Sequence, residues 1–194
     1  MVHVKLLSKL SFYGLCDPLI TWIKNFLIGR TQYVKIDAFC SSMGTVISGV
    51  PQGSVLGPVL YILYINDISR CINFGVKNKL FADNTNLYSS FDDFATLDLL
   101  QSCLCTINEW SDHWQLSLSS SKCVVLNVRP SGSCGKSDKY IYKIGSAQLP
   151  CVESVTDLGV TYCNRLKFSL HIDAIVTKAS LRAKLILHCF RSRK

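Results

Sequence analysis

The chain has 194 residues, of which 48% are hydrophobic and only 18% charged, so it is long enough to bury a core and too apolar to be disordered. Its net charge of +8 favours polyanions or an anionic surface as partners. Ten scattered cysteines and no N-terminal leader argue against a disulfide-stapled secreted domain. We therefore expect reduced, mostly buried thiols in an intracellular protein, and the longest apolar run, residues 59–65, is far too short to cross a bilayer.

The first third of the chain predicts helices followed by short strands. Apolar residues between positions 4 and 28, interrupted at Gly14 and Pro18, indicate two short helices, with Pro18 in the first turn of the second. A strand is predicted at residues 32–36, with residues 45–47 as its candidate partner.

Two segments in the middle of the chain carry polar residues in unusual settings. Residues 48–58, SGVPQGSVLGP, hold three glycines and two prolines, which excludes a regular element before a predicted helix at 59–67. FADNTNLY, starting at Phe81, predicts a hairpin with Asp83 at its turn. A plain hairpin explains Asp83 and Asn84, because both residue types tolerate a positive φ, whereas a metal site would call for two acids.

The second half predicts a long helix, several strands and a basic helix. The long helix begins after Ser90, with Asp92 and Asp93 in its first turn, and carries one buried stripe to about Trp114. Strands are predicted near 123–128, 140–144 and 158–162, with a loop at 131–137. The last helix is predicted to place seven apolar residues on one face: Ile172, Ile175, Val176, Ala179, Ala183, Ile186 and Phe190.

The order of elements predicts an α+β fold with helices packed on one face of a sheet. Eight basic side chains and one acid lie between residues 165 and 194, so the surplus positive charge is concentrated at that end. A solvated helix face and a nucleic-acid contact both explain this concentration.

Several strings in the chain are familiar as a set. SGVPQGSVLGPVLYILYINDI, followed by LFADNTNLY, resembles the reverse transcriptase domain of LINE-type, non-LTR retrotransposons. The resemblance extends to VHVKLLSKLSFYGLCDPLITWIKNFLIGRTQYVKI before these strings, and to SLSSSKCVVL, VTDLGV and FSLHIDAIVTKA after them. It covers nearly the whole chain.

The resemblance implies a right-hand polymerase palm with partial fingers over residues 1–163 and the start of a helical thumb over 164–194. Such a domain copies an RNA template from a DNA primer with deoxynucleotides and two Mg²⁺ ions. By this resemblance, nucleotide or template contacts fall on Pro51, Gln52 and Gly53, and the metal-binding turn on Asp83 with Asn84. Lys122 is either a phosphate contact or a surface lysine. Nucleic-acid backbone contacts fall on three residues of the basic helix: Lys178, Arg182 and Lys184.

The departure from the family pattern lies in the number of carboxylates. The family uses three aspartates, two of them at the turn, and the first is expected upstream of Met1 in a truncated chain. Asn84 occupies the second turn position, and an amide has no net charge with which to attract a second cation. We therefore expect Mg²⁺ not to bind as a productive pair and the chain to be inactive.

Two alternatives remain open at this stage. One is a non-catalytic nucleic-acid-binding remnant of a retroelement, and the other is an unstable product with no role. The expected location is intracellular, in the nucleus or cytoplasm, with no membrane partner.

Overall fold

The computed structural model describes residues 1–72, 75–90, 94–129 and 140–191, which form two compact units, Met1–Leu118 and Ser119–Lys194. The boundary predicted between palm and thumb, at residues 163 and 164, is a division into polymerase subdomains and not into compact units. It stays a prediction. The predicted loop at 131–137 and the capping residues Asp92 and Asp93 lie outside the described residues.

The predicted helices are present with small changes of boundary. The third begins three residues earlier than predicted and continues as a 3-10 helix. The helices are α1 (His3–Phe12), α2 (Asp17–Leu27), α3 (Leu56–Ile65), the 3-10 helix Asn66–Cys71, α4 (Phe94–Trp114), the 3-10 helix Ser120–Lys122 and α5 (Ser169–Arg191).

The strands are short, and the expectation of one sheet under the helices is wrong for the described residues. The strands are β1 (Thr31–Gln32), β2 (Lys35–Ile36), β3 (Phe39–Cys40), β4 (Gly44–Thr45), β5 (Lys77–Phe81), β6 (Asn84–Tyr88), β7 (Val125–Leu126), β8 (Lys143–Ile144), β9 (Ala147–Gln148), β10 (Cys151–Val152), β11 (Ser154–Asp157) and β12 (Val160–Cys163). They form six two-stranded ladders, and only the β7–β10 ladder is parallel. Four ladders join neighbouring strands in the chain, because strands of two to five residues pair locally before a wide sheet can form. The fold is thus α+β in content.

The core of the first unit is helical. It is made of buried apolar residues from α1, α2, α3, the following 3-10 helix and α4: Leu6, Leu10, Ile23, Leu27, Leu60, Tyr64, Ile65, Ile68, Ile107 and Trp110. The stripe predicted for α4 is confirmed, because Leu97, Leu100, Ile107 and Trp110 are all buried. This core supports the glycine-rich segment that precedes α3.

A buried lysine links three of these helices. Lys9 is 3% exposed, and its ammonium lies 2.5 Å from a carboxylate oxygen of Asp67. The same ammonium lies over the rings of Tyr64, Trp110 and Trp114, at 4.8, 4.8 and 3.8 Å from the ring centres. It also donates a hydrogen bond to the backbone carbonyl of Tyr64. Lys9 on α1 is therefore a cation enclosed by aromatic rings from α3 and α4.

The second unit contains α5 and three ladders, β7–β10, β8–β9 and β11–β12. Tyr142 and Ile144 are buried in it, and α5 contacts β12. The seven apolar residues predicted for one face of α5 lie on that helix, and all seven are exposed. No described helix is both long enough and apolar enough to span a membrane.

The cysteines differ from expectation in burial. The nine described cysteines are free thiols, but Cys103 alone among them is buried, so the expectation of mostly buried thiols is wrong. Several lie in the short ladders or on α5, where little of the chain covers them. Cys134 lies outside the described residues.

Candidate functional site

The start of the chain anchors the glycine-rich segment. Val2 forms an isolated antiparallel bridge with Ser48, and the Gly49 N–H donates to the carbonyl of Met1 at 2.8 Å. The Nε2 of buried His3 lies 2.8 Å from the carbonyl of Gly49. A carbonyl only accepts, so this ring nitrogen is the donor. Three contacts therefore fix the backbone just before Pro51.

Ser54 fixes the other end of the segment, where α3 begins. Its hydroxyl donates to the carbonyl of Pro51 at 2.7 Å and accepts the N–H of Gly57 at 3.0 Å. A Cβ on Gly57 would lie 3.1 Å from Ser54 Oγ and 3.2 Å from the Pro51 carbonyl oxygen. The turn is thus closely packed, and it leaves Gln52 and Gly53 exposed at its tip.

A shallow cleft of about 450 Å³ opens at this tip. It is lined by residues 50–55 together with Gly57, Pro58 and Tyr61. The three predicted contact residues, Pro51, Gln52 and Gly53, therefore lie on one cleft. Gly53 has a φ of 79°, which an L side chain rarely adopts, so the sharp turn depends on glycine here.

The FADN segment forms the predicted hairpin. Phe81 at the end of β5 pairs with Asn84 at the start of β6, so Ala82 and Asp83 form a two-residue turn. Ala82 has the positive φ of this turn, 51°. The expectation that Asp83 and Asn84 would adopt it is therefore wrong. Asp83 and Asn84 are both exposed, and Asp83 is the one carboxylate in the hairpin Lys77 to Tyr88.

Tyr61 connects the hairpin to the cleft. The pKa of Tyr61 is raised, first by burial and then by the negative charge of Asp83. The phenol on α3 and the carboxylate at the turn therefore lie close enough to interact electrostatically. Because Tyr61 also lines the cleft, the structure brings Asp83 and the Pro51–Gly53 turn into one neighbourhood.

The described residues supply few ligands for a cation in this neighbourhood. Over residues 1–72, 75–90, 94–129 and 140–191, no three His, Cys, Asp or Glu side chains form a group suited to a metal ion. Asp83 and the amide of Asn84 do not fit a site for two divalent cations, since Mg²⁺ sites are built mainly on carboxylates. At the turn, Asp83 is therefore one of the three carboxylates that the resemblance implies.

Lys122 belongs to the second unit. It ends the 3-10 helix Ser120–Lys122, where its N–H donates to the carbonyl of Ser119 at 3.0 Å. Strand β7 begins three residues later, at Val125. The side chain is exposed, and the choice between phosphate contact and surface lysine stays a prediction.

The basic residues of α5 do not share one face. Lys178 and Arg182 are four residues apart, so they lie on the same face of the helix, about one turn from each other. Lys184 lies about 120° around the helix from Lys178 at 100° per residue. All three are exposed. At most two of them can therefore follow the same phosphate backbone at once.

Two residues of this site were not foreseen from the sequence. Tyr61 lies four residues after Gly57, one helical turn further along α3, and this spacing is the signal that could have identified it. His3 lies 46 residues from Gly49, and no local pattern predicts that contact.

The chain is similar in sequence to known reverse transcriptases. The family model described as "Reverse transcriptase (RNA-dependent DNA polymerase)" matches residues 2–162. A probable RNA-directed DNA polymerase from transposon X-element of Drosophila melanogaster is 33% identical over 194 residues, covering 96% of this chain and 20% of that protein. The RNA-directed DNA polymerase from mobile element jockey of the same species is 32% identical, covering 79% of this chain and 17% of that protein.

The similarity has a limit in length. The chain spans about a fifth of the X-element relative that it matches. A more distant relative, a Pol polyprotein from the type-2 retrotransposable element R2DM of Drosophila melanogaster, is 22% identical over 82% of this chain. Since the family model covers most of the chain, the chain belongs to the reverse transcriptase family of non-LTR retrotransposons.

Proposed function

We propose that this chain is a reverse transcriptase segment that engages nucleic acid at the Pro51–Gly53 cleft and does not join nucleotides on its own. The observation that carries the proposal is the turn beside that cleft, where Asp83 is followed by Asn84. The family's chemistry uses divalent ions, and the resemblance implies two acids at this turn.

The physical reason is charge. Holding two divalent cations a few ångströms apart requires enough negative charge to offset their mutual repulsion. One carboxylate supplies a single negative charge, and the neutral amide of Asn84 adds none. Tyr61 does not compensate, because its raised pKa keeps the phenol protonated near neutral pH.

The remaining roles belong to the same proposal. A palm with partial fingers and the start of a thumb accounts for the family match, and an RNA template with a DNA primer are the partners that fit it. Pro51, Gln52 and Gly53 would contact nucleotide or template, and Lys122, Lys178, Arg182 and Lys184 would contact phosphates. A nuclear or cytoplasmic location is proposed with these partners.

The test is primer extension by the full chain, with an RNA template, a DNA primer, deoxynucleotides and either Mg²⁺ or Mn²⁺. We expect no extension beyond background. We expect binding of the same template–primer duplex to weaken steeply as salt rises, because lysines and arginines release counterions from phosphates.

Two variants sharpen the test. Asn84→Asp gives the turn two carboxylates, and we expect no extension because the resemblance implies three. Asp83→Asn is the matched control, which removes the last carboxylate. Extension by the unaltered chain that Asp83→Asn abolishes would contradict the proposal. Extension by Asn84→Asp alone would show that two acids suffice.

The second candidate is a non-catalytic nucleic-acid-binding role carried by α5, without engagement at the cleft. The exposed Lys178 and Arg182 on one face of α5 favour it. It predicts that Lys178→Ala with Arg182→Ala lowers duplex affinity and reduces its salt dependence, whereas Gln52→Ala has no effect. A loss of affinity in Gln52→Ala would instead support engagement at the cleft.

A further inference from the structure

One glycine controls how the chain enters the Pro51–Gly53 turn. Gly49 has a φ of 86°, in the left-handed region that glycine adopts readily, and a Cβ there would meet no atom within 4 Å. Val50 is restricted to extended conformations because a proline follows it, and the ring of Pro51 fixes its own φ at about −65°. The direction in which the chain reaches the turn is therefore set mainly at Gly49.

Both peptide planes of Gly49 are held by the first three residues of the chain. The Gly49 N–H donates to the carbonyl of Met1 at 2.8 Å, and the Gly49 carbonyl accepts from Nε2 of His3 at 2.8 Å. The preceding residue, Ser48, forms an antiparallel bridge with Val2. Since a peptide unit is planar, the bond to Met1 fixes the plane before Gly49 and the bond from His3 fixes the plane after it. His3 thereby fixes the ψ of Gly49.

The donor of this bond lies on a rigid support. His3 is the first residue of α1 and is 6% exposed. Leu6 and Leu10, further along the same helix, are fully buried in the core of the first unit. Without the His3 donor, the half-buried carbonyl of Gly49 is free to rotate towards water, because no Cβ opposes the rotation. The ring of His3 is therefore placed to prevent this rotation.

His3 acts at the beginning of the turn, which Ser54 does not hold. The Ser54 hydroxyl joins the carbonyl of Pro51 to the N–H of Gly57. Those bonds fix the end of the turn that leads into α3. The contacts of Gly49 instead tie the beginning of the turn to α1, so the two ends are fixed by different residues.

We propose that His3 is a positioning residue for the Pro51–Gly53 turn: its ring N–H holds the carbonyl of Gly49 and so sets where Gln52 stands at the cleft. His3 is outside the set of residues that line the cleft, so it acts through the turn rather than by touching a ligand. The step from His3 to the turn is independent of the proposed function. The step from the turn to nucleic-acid affinity rests on that function.

The first test measures the turn without nucleic acid, by amide hydrogen exchange of the full chain. His3→Leu keeps an apolar side chain of similar size and removes the donor, whereas His3→Gln places an amide N–H the same number of bonds from the backbone. We expect exchange over residues 48–57 to rise by about tenfold in His3→Leu, which corresponds to about 1.4 kcal/mol for a carbonyl that loses its donor. In His3→Gln we expect exchange within about threefold of the unaltered chain.

Two references separate positioning from a general loss of stability. Helix α2 contributes Ile23 and Leu27 to the same core as α1, so its exchange reports opening of the whole unit. That exchange should change by less than about threefold in His3→Leu. Leu10→Ala is the control on α1, because it removes core volume and leaves the donor in place. It should not raise exchange over residues 48–57 more than exchange in α2.

The second test measures the affinity of the same variants for an RNA-templated DNA primer by fluorescence anisotropy. If His3 acts through the turn, then His3→Leu and Gln52→Ala weaken the same contact and their effects do not multiply. We expect a loss of about fivefold in His3→Leu, about tenfold in Gln52→Ala and no more than about tenfold in the double variant. His3→Gln should bind like the unaltered chain.

Each contrary result has a definite meaning. Unchanged exchange over residues 48–57 in His3→Leu would overturn the positioning role, and so would an equal rise in α2 that His3→Gln does not restore. Unchanged affinity in His3→Leu, with weaker binding by Gln52→Ala, would overturn the link from His3 to binding. Unchanged affinity in Gln52→Ala would overturn the proposed function at the cleft, and the exchange result would still decide the role of His3.

Discussion

The buried ammonium of Lys9 allows a prediction about what holds α1 to α3 and α4. The pKa of Lys9 is lowered, because desolvation on burial outweighs the hydrogen bond and charge of Asp67. The charged form is therefore held at a net electrostatic disadvantage relative to water. The favourable part of this side chain is then its apolar stem and its contacts with the aromatic rings.

The magnitudes follow from the atoms removed. Lys9→Ala deletes three buried methylene groups, each worth about 0.8 kcal/mol, so the loss from the stem is about 2.5 kcal/mol. Lys9→Met keeps a flexible apolar chain among three rings, where sulfur–aromatic contacts are favourable, and removes the buried charge. We expect Lys9→Met to change the free energy of unfolding by less than about 1 kcal/mol. The side chain of Asp67 stays hydrated after either change, since it is 23% exposed.

The assay is urea unfolding followed by tryptophan fluorescence. All three tryptophans, Trp22, Trp110 and Trp114, lie in the first unit, and the latter two form part of the enclosure. Lys24→Ala, at an exposed position on α2, is the control and should change stability by less than about 0.5 kcal/mol. If Lys9→Met costs as much as Lys9→Ala, the charge rather than the stem stabilises this core and the reasoning is refuted.

Three further predictions concern the first unit. At pH values between its lowered pKa and 10.5, Lys9 binds fewer protons in the folded chain than in the unfolded chain, so the free energy of unfolding of the unaltered chain should rise with pH relative to that of Lys9→Met. Urea unfolding of both chains over this pH range measures the difference, and a difference that stays constant with pH would contradict the prediction. Leu10→Ala should lower the free energy of unfolding by about 3 kcal/mol because Leu10 is fully buried, whereas Leu19→Ala on the exposed face of α2 should cost less than about 1 kcal/mol. Gly53→Ala should cost about 1 to 2 kcal/mol by thermal unfolding, since its φ is 79°, and equal stability of the two chains would show that the turn relaxes.

Local features of this fold could be predicted from the sequence. The pattern of FADNTNLY predicted a hairpin with Asp83 at its turn, although the turn begins one residue earlier than predicted, at Ala82. The spacing of apolar residues gave the buried stripe of α4. Both depend on residues close in the chain, where periodicity and turn chemistry act directly. The three predicted residues Pro51, Gln52 and Gly53 also share one cleft because they are consecutive.

Long-range features could not be predicted in this way. Lys9 meets Tyr64 and Trp110 from 55 and about 100 residues away, and a lysine among apolar neighbours on α1 gives no sign of enclosure. The spacing of apolar residues predicted helix α5, but this pattern could not say whether its apolar face is buried or exposed. The single sheet was wrong because strand propensity predicts extended segments and not how many of them pair.

The most direct test of the account is the incorporation of one labelled deoxynucleotide by the purified full chain. The chain is held in excess over an RNA-templated DNA primer, so that even one slow turnover per molecule is detected. We expect the label to remain unincorporated with Mg²⁺ and with Mn²⁺, since Asp83 is the one carboxylate of the hairpin Lys77 to Tyr88. Template-directed addition of that nucleotide, lost again in Asp83→Asn, would contradict the account.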